Sequence, residues 1–374
     1  NYSKKSPDQT IVEGEITDLE KSWIIISEMG PRQTKKIDSV KTDKDGEFKF
    51  TLVPEQKSFF NLTFPDRSMI TIICGQGDNI RLSAKVDDIE GTYSLTGSKE
   101  SALLREYFRY TLNNERKVDS LKQIFEQNKN SPEFHIIRGL LEQSFTKIYI
   151  DQQKYTRDFI NKNPASLASL VALNNQFENN KVLDIREDLE LYELVDISMA
   201  NEYPNNKHYL HLHNSLMEIY EVITQQELAK KYTSIGMTIP SFEIRNIKGN
   251  PVWIEEFRGN PLLIYFWAAW DAKSRQTNRR LKSVLDSFYP SEIPVLAISF
   301  DNNKEIWKAA IKIDSLNWHH ASDLLGMNSP VITLLNIPGK LPYFYLVDEH
   351  GQIIFKGKDL SLLSEKISSL RSLN

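Results

Sequence analysis

Phe266-Trp267-Ala268-Ala269-Trp270-Asp271-Ala272-Lys273-Ser274-Arg275 decides the fold, because it joins a wholly apolar run to a charged one. Pro261 to Trp270 is the longest uninterrupted apolar run of the chain, well short of the roughly 20 residues that cross a bilayer as a helix. It predicts a buried strand over Leu262 to Trp267. Downstream, Leu281, Val284, Leu285 and Phe288 fit one face of a helix that stops at Pro290. Asp271 stands where strand gives way to helix. A carboxylate there accepts N-cap hydrogen bonds and complements the helix dipole, contributing about 1 kcal/mol.

Outward from this junction the chain after Gly236 alternates strand and helix. Phe242 to Arg245 and Pro251 to Trp253 flank Lys248-Gly249-Asn250, as the arms of a hairpin would. Beyond the helix come a strand over Val295 to Phe300, a helix over Glu305 to Ile313, and a hairpin from Tyr343 to Phe355 turning at Glu349-His350-Gly351. Leu360, Leu363, Ile367 and Leu370 close the chain with an amphipathic helix. The resulting order, β, α, β, α, β, β, α, is that of a thioredoxin fold.

At 374 residues, 40% apolar and 26% charged, the chain has the composition of a globular protein with two or three domains. A formal net charge of −4 argues against a dedicated nucleic-acid surface. Asn1-Tyr2-Ser3-Lys4-Lys5-Ser6-Pro7-Asp8 shows no basic or hydrophobic leader, so the expectation is a flexible tether over 1–9, any export signal having been removed or never present.

Residues 10–97 read as a small antiparallel β sandwich. Phe48, Phe50 and Leu52 alternate with Glu47, Lys49 and Thr51, Asp45-Gly46 supplies a hairpin signal, and Asp78 to Ala84 alternates again after Gly77. Residues 98–232 turn helical. Phe134, Ile137, Leu141, Phe145 and Ile148 form a stripe one helix face wide, Ser131-Pro132 and Asn163-Pro164 read as helix starts, and a further helix follows Pro204 over about 206–227. The α/β domain occupies 233–374.

Residues 232 to 374 resemble the TlpA/ResA-like thiol-disulfide oxidoreductases, part of the larger thioredoxin-like group that also holds the peroxiredoxins. The resemblance rests on Gly236-Met237-Thr238-Ile239-Pro240-Ser241-Phe242, Phe257-Arg258-Gly259-Asn260-Pro261, Phe266-Trp267-Ala268-Ala269-Trp270, and Leu341-Pro342-Tyr343-Phe344-Tyr345-Leu346-Val347-Asp348 followed by Gly351. In that family Phe-Trp-Ala-x-Trp is followed by Cys-x-x-Cys. The resemblance therefore sets Asp271 at the nucleophilic cysteine and Ser274 at the resolving one. A cysteine at a helix start has a lowered pKa and attacks a disulfide as thiolate, and a second thiol then resolves the mixed disulfide. Aspartate and serine cannot do this.

Pro342 matches the family's cis-proline, which implies a cis Leu341-Pro342 bond and a shelf for an extended peptide walled by Trp270 and Leu341. The first two regions are similar to the β domain and helical linker of exported bacterial proteins. A cell-envelope location follows from that resemblance, with membrane tethering through a lipidated N-terminus. A protein or peptide partner at the groove is implied, with no cofactor and no nucleic acid.

Cys74 is the single cysteine and lies in the run Met69 to Cys74, where it reads as a buried small hydrophobe. One cysteine excludes an intramolecular disulfide and a multi-cysteine zinc site. His208, His211 and His213 lack a metal-binding spacing, and His319-His320 should point to opposite sides of a strand. No P-loop, G-x-S-x-G, G-x-G-x-x-G or H-E-x-x-H pattern occurs. Three readings stand: a redox-inactive binding or assembly module, a residual enzyme using Cys74 or Asp271 with Lys273, and a purely structural thioredoxin domain.

Overall fold

Two four-stranded sheets open the chain, each carrying apolar residues on alternate positions of its strands. In the computed structural model, which describes residues 8–287 and 293–371, the first sheet runs Glu47–Leu52, Thr10–Thr17, Asn79–Lys85, Ser94–Thr96, and the second Thr34–Lys41, Trp23–Met29, Ser58–Thr63, Met69–Cys74. Val12, Ile16, Phe48 and Ile80 of the first and Ile24, Ile26, Phe60 and Ile72 of the second share one core, so the unit is a sandwich. The sandwich is not wholly antiparallel: Thr10–Thr17 pairs parallel with Asn79–Lys85.

Asp45-Gly46 forms a tight turn, with the Asp43 carboxylate accepting from the Asp45 and Glu47 amides and Gly46 at φ +78°. It does not close a hairpin, however. Thr34–Lys41 and Glu47–Leu52 belong to different sheets, so the turn carries the chain from one sheet to the other.

Helices Lys99–Asn128 and Phe134–Lys162 follow, then Leu167–Leu173, Leu189–Glu202 and Lys207–Tyr232. Two of the predicted starts shift. The first begins past Ser131-Pro132, at Phe134. Asn163 ends the long helix rather than starting the next, which is capped by Ser166 Oγ on the Ala168 amide. The expected helix after Pro204 continues to Tyr232, and Leu189–Glu202 is an addition to the sequence reading. No helix among the described residues is long and apolar enough to cross a membrane.

The chain divides into two compact units, Asn1–Ile219 and Tyr220–Asn374. The second is built on a five-stranded sheet ordered His319–Ala321, Val295–Ser299, Leu262–Trp267, Tyr343–Val347, Ile353–Gly357. Leu262–Trp267 lies at its centre, parallel to Val295–Ser299 and antiparallel to Tyr343–Val347, and every residue in it is buried. A strand covered on both faces reads as a continuous apolar run rather than an alternation. Ile264 and Phe266 pack into one core, and Leu263, Tyr265 and Trp267 into the opposite one with Leu281, Trp307 and Leu363.

The hairpin turn before Ile353–Gly357 has Gly351 at φ +80° and the Asp348 carboxylate on the His350 and Gln352 amides. The strand read at His319-His320 is His319–Ala321, at the sheet edge, and the short helix Pro330–Leu334 was not in the sequence reading. Residues 1–7 of the expected tether, and Phe288 and Pro290 of the expected helix end, lie outside the described residues.

Candidate functional site

The central strand ends at Trp267, and the next four residues form a turn held by the neighbouring parallel strand. The Ala269 amide donates to both oxygens of the Asp301 carboxylate, at 3.1 and 3.0 Å, and Ser299 Oγ donates to the same carboxylate at 2.6 Å. Asp301 is buried at the end of Val295–Ser299, so the turn is clamped from inside the fold. Trp270 donates its indole N–H to the Phe300 carbonyl at 3.0 Å, yet it is 57% exposed. The hydrogen bond fixes the ring while leaving a face to solvent.

Asp271 caps the helix Ala272–Asp286, its side chain accepting from the Ser274 amide at 2.7 Å. Ser274 itself is wholly buried, and its hydroxyl has no hydrogen-bond partner among the described residues. The Tyr265 hydroxyl donates to Asn278 Oδ1 at 2.8 Å, with the Ser274 carbonyl 3.2 Å away. Burial pushes the Tyr265 hydroxyl pKa well up, so it stays a neutral donor.

Below this lies a pair that sequence reasoning missed. Arg275 grips Asp314 with two parallel bonds of 2.6 and 2.8 Å, and Asn278 Nδ2 adds a third at 2.7 Å. Burial pushes the Asp314 carboxyl pKa up, but the hydrogen bonds from Arg275 and Asn278 and the Arg275 charge outweigh it and hold it below the usual value. Asp301 had one visible signal, an acidic residue closing the apolar run Val295 to Phe300. Asp314 had none.

The Leu341-Pro342 bond is cis. Leu341 is not an open wall: its side chain is only 7% exposed and packs in the core beside Ile337, because the chain turns inward before Tyr343–Val347. Pro342 is buried as well, so of the three residues expected to form a shelf Trp270 alone presents a side chain to solvent. Cys74 is fully buried in the first unit, and burial raises its thiol pKa.

The three clustered histidines diverge: His208 Nε2 lies 3.3 Å from Ser58 Oγ, whereas His213 Nδ1 meets Asp196 at 3.0 Å and His211 is exposed. His319 is exposed and His320 half-buried, on opposite sides of their strand. Among the described residues no cluster of three or more His, Cys, Asp or Glu is arranged to hold a metal ion.

Residues 235–356 match the AhpC/TSA family, and residues 10–104 match a domain of unknown function, DUF4369. The chain is similar to the thiol-disulfide oxidoreductase ResA of Bacillus cereus, 20% identical over 127 residues that cover 34% of this chain and 71% of the relative. It is likewise similar to the thioredoxin-like protein YneN of Bacillus subtilis, 24% identical over 133 residues, 34% of this chain and 75% of the relative. Among solved structures, the C-terminal domain of a proposed thiol-disulfide oxidoreductase from Bacteroides thetaiotaomicron is 32% identical, with 38% of this chain and 99% of that one covered and a TM-score of 0.36. The family match over 235–356 and the alignments to ResA and YneN, together with the sheet order and the turn into Ala272–Asp286, identify the C-terminal domain of this chain as a member of the AhpC/TSA family, of the TlpA/ResA-like thiol-disulfide oxidoreductase type.

Proposed function

We propose that the C-terminal domain is a redox-inactive member of its family that binds an extended segment of a protein partner around Trp270. The carrying observation is the helix start itself. Asp271 and Ser274 stand at the two positions that the family pattern gives to the redox cysteines, and both are absorbed into local structure, one as the cap and one as a buried side chain. Disulfide exchange needs an accessible thiolate. The one thiol of the chain, Cys74, is buried with a raised pKa, which speaks against an enzymatic role for it. Trp270 supports the binding half of the reading, since a rigid, half-exposed aromatic is the usual anchor of a recognition surface.

Reduction of insulin disulfides with dithiothreitol as electron source tests the redox half. The rate stays at background; turnover above it that persists in Cys74→Ala would overturn the reading. Capture of a partner from envelope extract tests the binding half, with loss expected for Trp270→Ala and retention contradicting it. The family resemblance further supports work in the cell envelope, which fractionation of the producing cells checks.

A further inference from the structure

We propose that the solvent face of the helix Ala272–Asp286, where it meets Trp270, docks an acidic extended polypeptide. This rests on the binding reading above and specifies its ligand. A concavity of about 510 Å³ lies against Trp270, lined by Ala269, Ala272, Arg275, Gln276 and Arg279. Around it the helix exposes Lys273, Arg279 and Arg280. Arg275 is committed to Asp314, whereas those three cations make no ion pair among the described residues.

Beyond its Asp271 cap, the order of charge within this helix is inverted. A helix favours anions in its first turn and cations in its last. Here the first turn has no acidic residue and carries Lys273, while the last turn has no basic residue and carries Asp286. Each charge so placed works against the dipole in the free protein. The Asp271 cap already occupies the helix end, so the exposed cations are what set a positive field beside the ring of Trp270, and an anionic ligand gains from that field.

Lys273 and Arg280, both exposed, are seven positions apart and so nearly on one face, about 10 Å along the axis, with Arg279 lining the concavity beside them. Acidic side chains two to four residues apart on an extended chain span about 7 to 13 Å. Trp270 meanwhile offers an apolar face for the stem of a glutamate or a neighbouring aliphatic residue. A lipid surface fits less well: of the helix's five cations Arg275 is held by Asp314 and Lys282 bonds the Ser315 carbonyl, which leaves three where attachment to anionic lipid uses clusters of about four to eight, and a concave site with one ring is poorly matched to a plane. A nucleic acid would call for several stacking rings, and the chain is net acidic.

The test measures fluorescence anisotropy of a short fluorescein-labelled peptide of alternating Glu and Gly with a central Leu, bound by the full chain at low salt. A Gln-for-Glu copy and vesicles of phosphatidylcholine with phosphatidylserine run beside it. The expected result is binding of the Glu peptide that weakens as salt rises, at least tenfold tighter than the Gln copy. K273E combined with R279E lowers it by about tenfold, and Trp270→Ala weakens it too. Both cations are exposed and K273E improves the match to the helix dipole, but Arg279 also lends its charge to Asp314, so an unchanged far-UV circular dichroism spectrum and melting midpoint separate this loss from loss of fold. Equal affinity for the two peptides would overturn the acidic preference while leaving docking at Trp270 standing. Binding of neither peptide would count against both readings, and preference for the vesicles would assign the surface to membrane instead.

Discussion

The Asp271 carboxylate accepts the Ser274 amide at 2.7 Å, so the two positions that the family pattern gives to redox cysteines are here joined by a single capping bond. The helix start keeps the polarity it wants, because a fixed carboxylate replaces a titrating thiolate at the positive end of the dipole. Asp271→Ala should lower stability by about 1 kcal/mol and Asp271→Asn by less, read from denaturant midpoints. An unchanged midpoint for Asp271→Ala would mean that the cap carries no net stability.

The pattern also predicts what restoring sulfur does. Asp271→Cys with Ser274→Cys, in a Cys74→Ala background, recreates the C-x-x-C spacing at a helix start, where a thiol's pKa falls. The variant should oxidise to an intramolecular disulfide, losing both free thiols in a thiol count, and should gain insulin-reducing turnover above the parent. A dithiol that resists oxidation would show that the turn has drifted from redox-competent geometry.

Ser274 gives a sharper test of packing. Its hydroxyl is buried with no partner among the described residues. Leaving a buried hydroxyl unpaired costs about 1–3 kcal/mol. Ser274→Ala removes that cost and opens little space, so the variant should be as stable as the parent or up to about 1 kcal/mol more stable. A loss of that size would reveal a hydrogen bond that Ser274 makes in solution.

The parts of the site that were legible in sequence are those governed by neighbours along the chain. The buried run Leu262 to Trp267 announces a strand, and Asp271 before a helical stripe announces a cap. The clamp on the same turn was not legible. Asp301 reaches Ala269 across 32 residues and Asp314 reaches Arg275 across 39, and both contacts depend on which elements the fold sets side by side. Leu341 went wrong for a related reason: the Pro342 match locates a stretch of backbone without saying that the preceding side chain turns into the core. Asp45-Gly46 shows the same division, since its turn chemistry is local but the sheet its far arm joins is not.

Asp314 predicts an acid limb. Its folded-state pKa is depressed, so the stability it contributes is present above the unfolded carboxylate value near 4 and lost as pH falls through the lower folded value. Arg275→Gln leaves a nearly buried carboxylate with Asn278 as its remaining partner, and should cost about 3 kcal/mol at neutral pH. It should also flatten the acid limb below pH 4, because protonating Asp314 no longer breaks a charge pair. Denaturation of the variant at pH 7 and at pH 3 checks both. Equal losses at the two pH values would show that Arg275 acts by packing alone.

His320 predicts a separate loss at milder pH. Burial, with the nearby His319 charge adding to it and the Leu316 carbonyl opposing, pushes its pKa down to about 4. The unfolded value is near 6.5. The fold therefore favours the neutral ring, and the stability this supplies is complete above pH 6.5 and disappears as pH falls toward 4. His208 in the first unit carries a similar shift to about 4, from burial first and then from the Lys207 charge. All tryptophans except Trp23 lie in the second unit, so indole fluorescence chiefly follows the unit that holds His320. His320→Gln should flatten the fluorescence-detected decline between pH 6.5 and 4, whereas His208→Gln should leave that signal unchanged. A decline of full size in His320→Gln would place the responsible proton on another group.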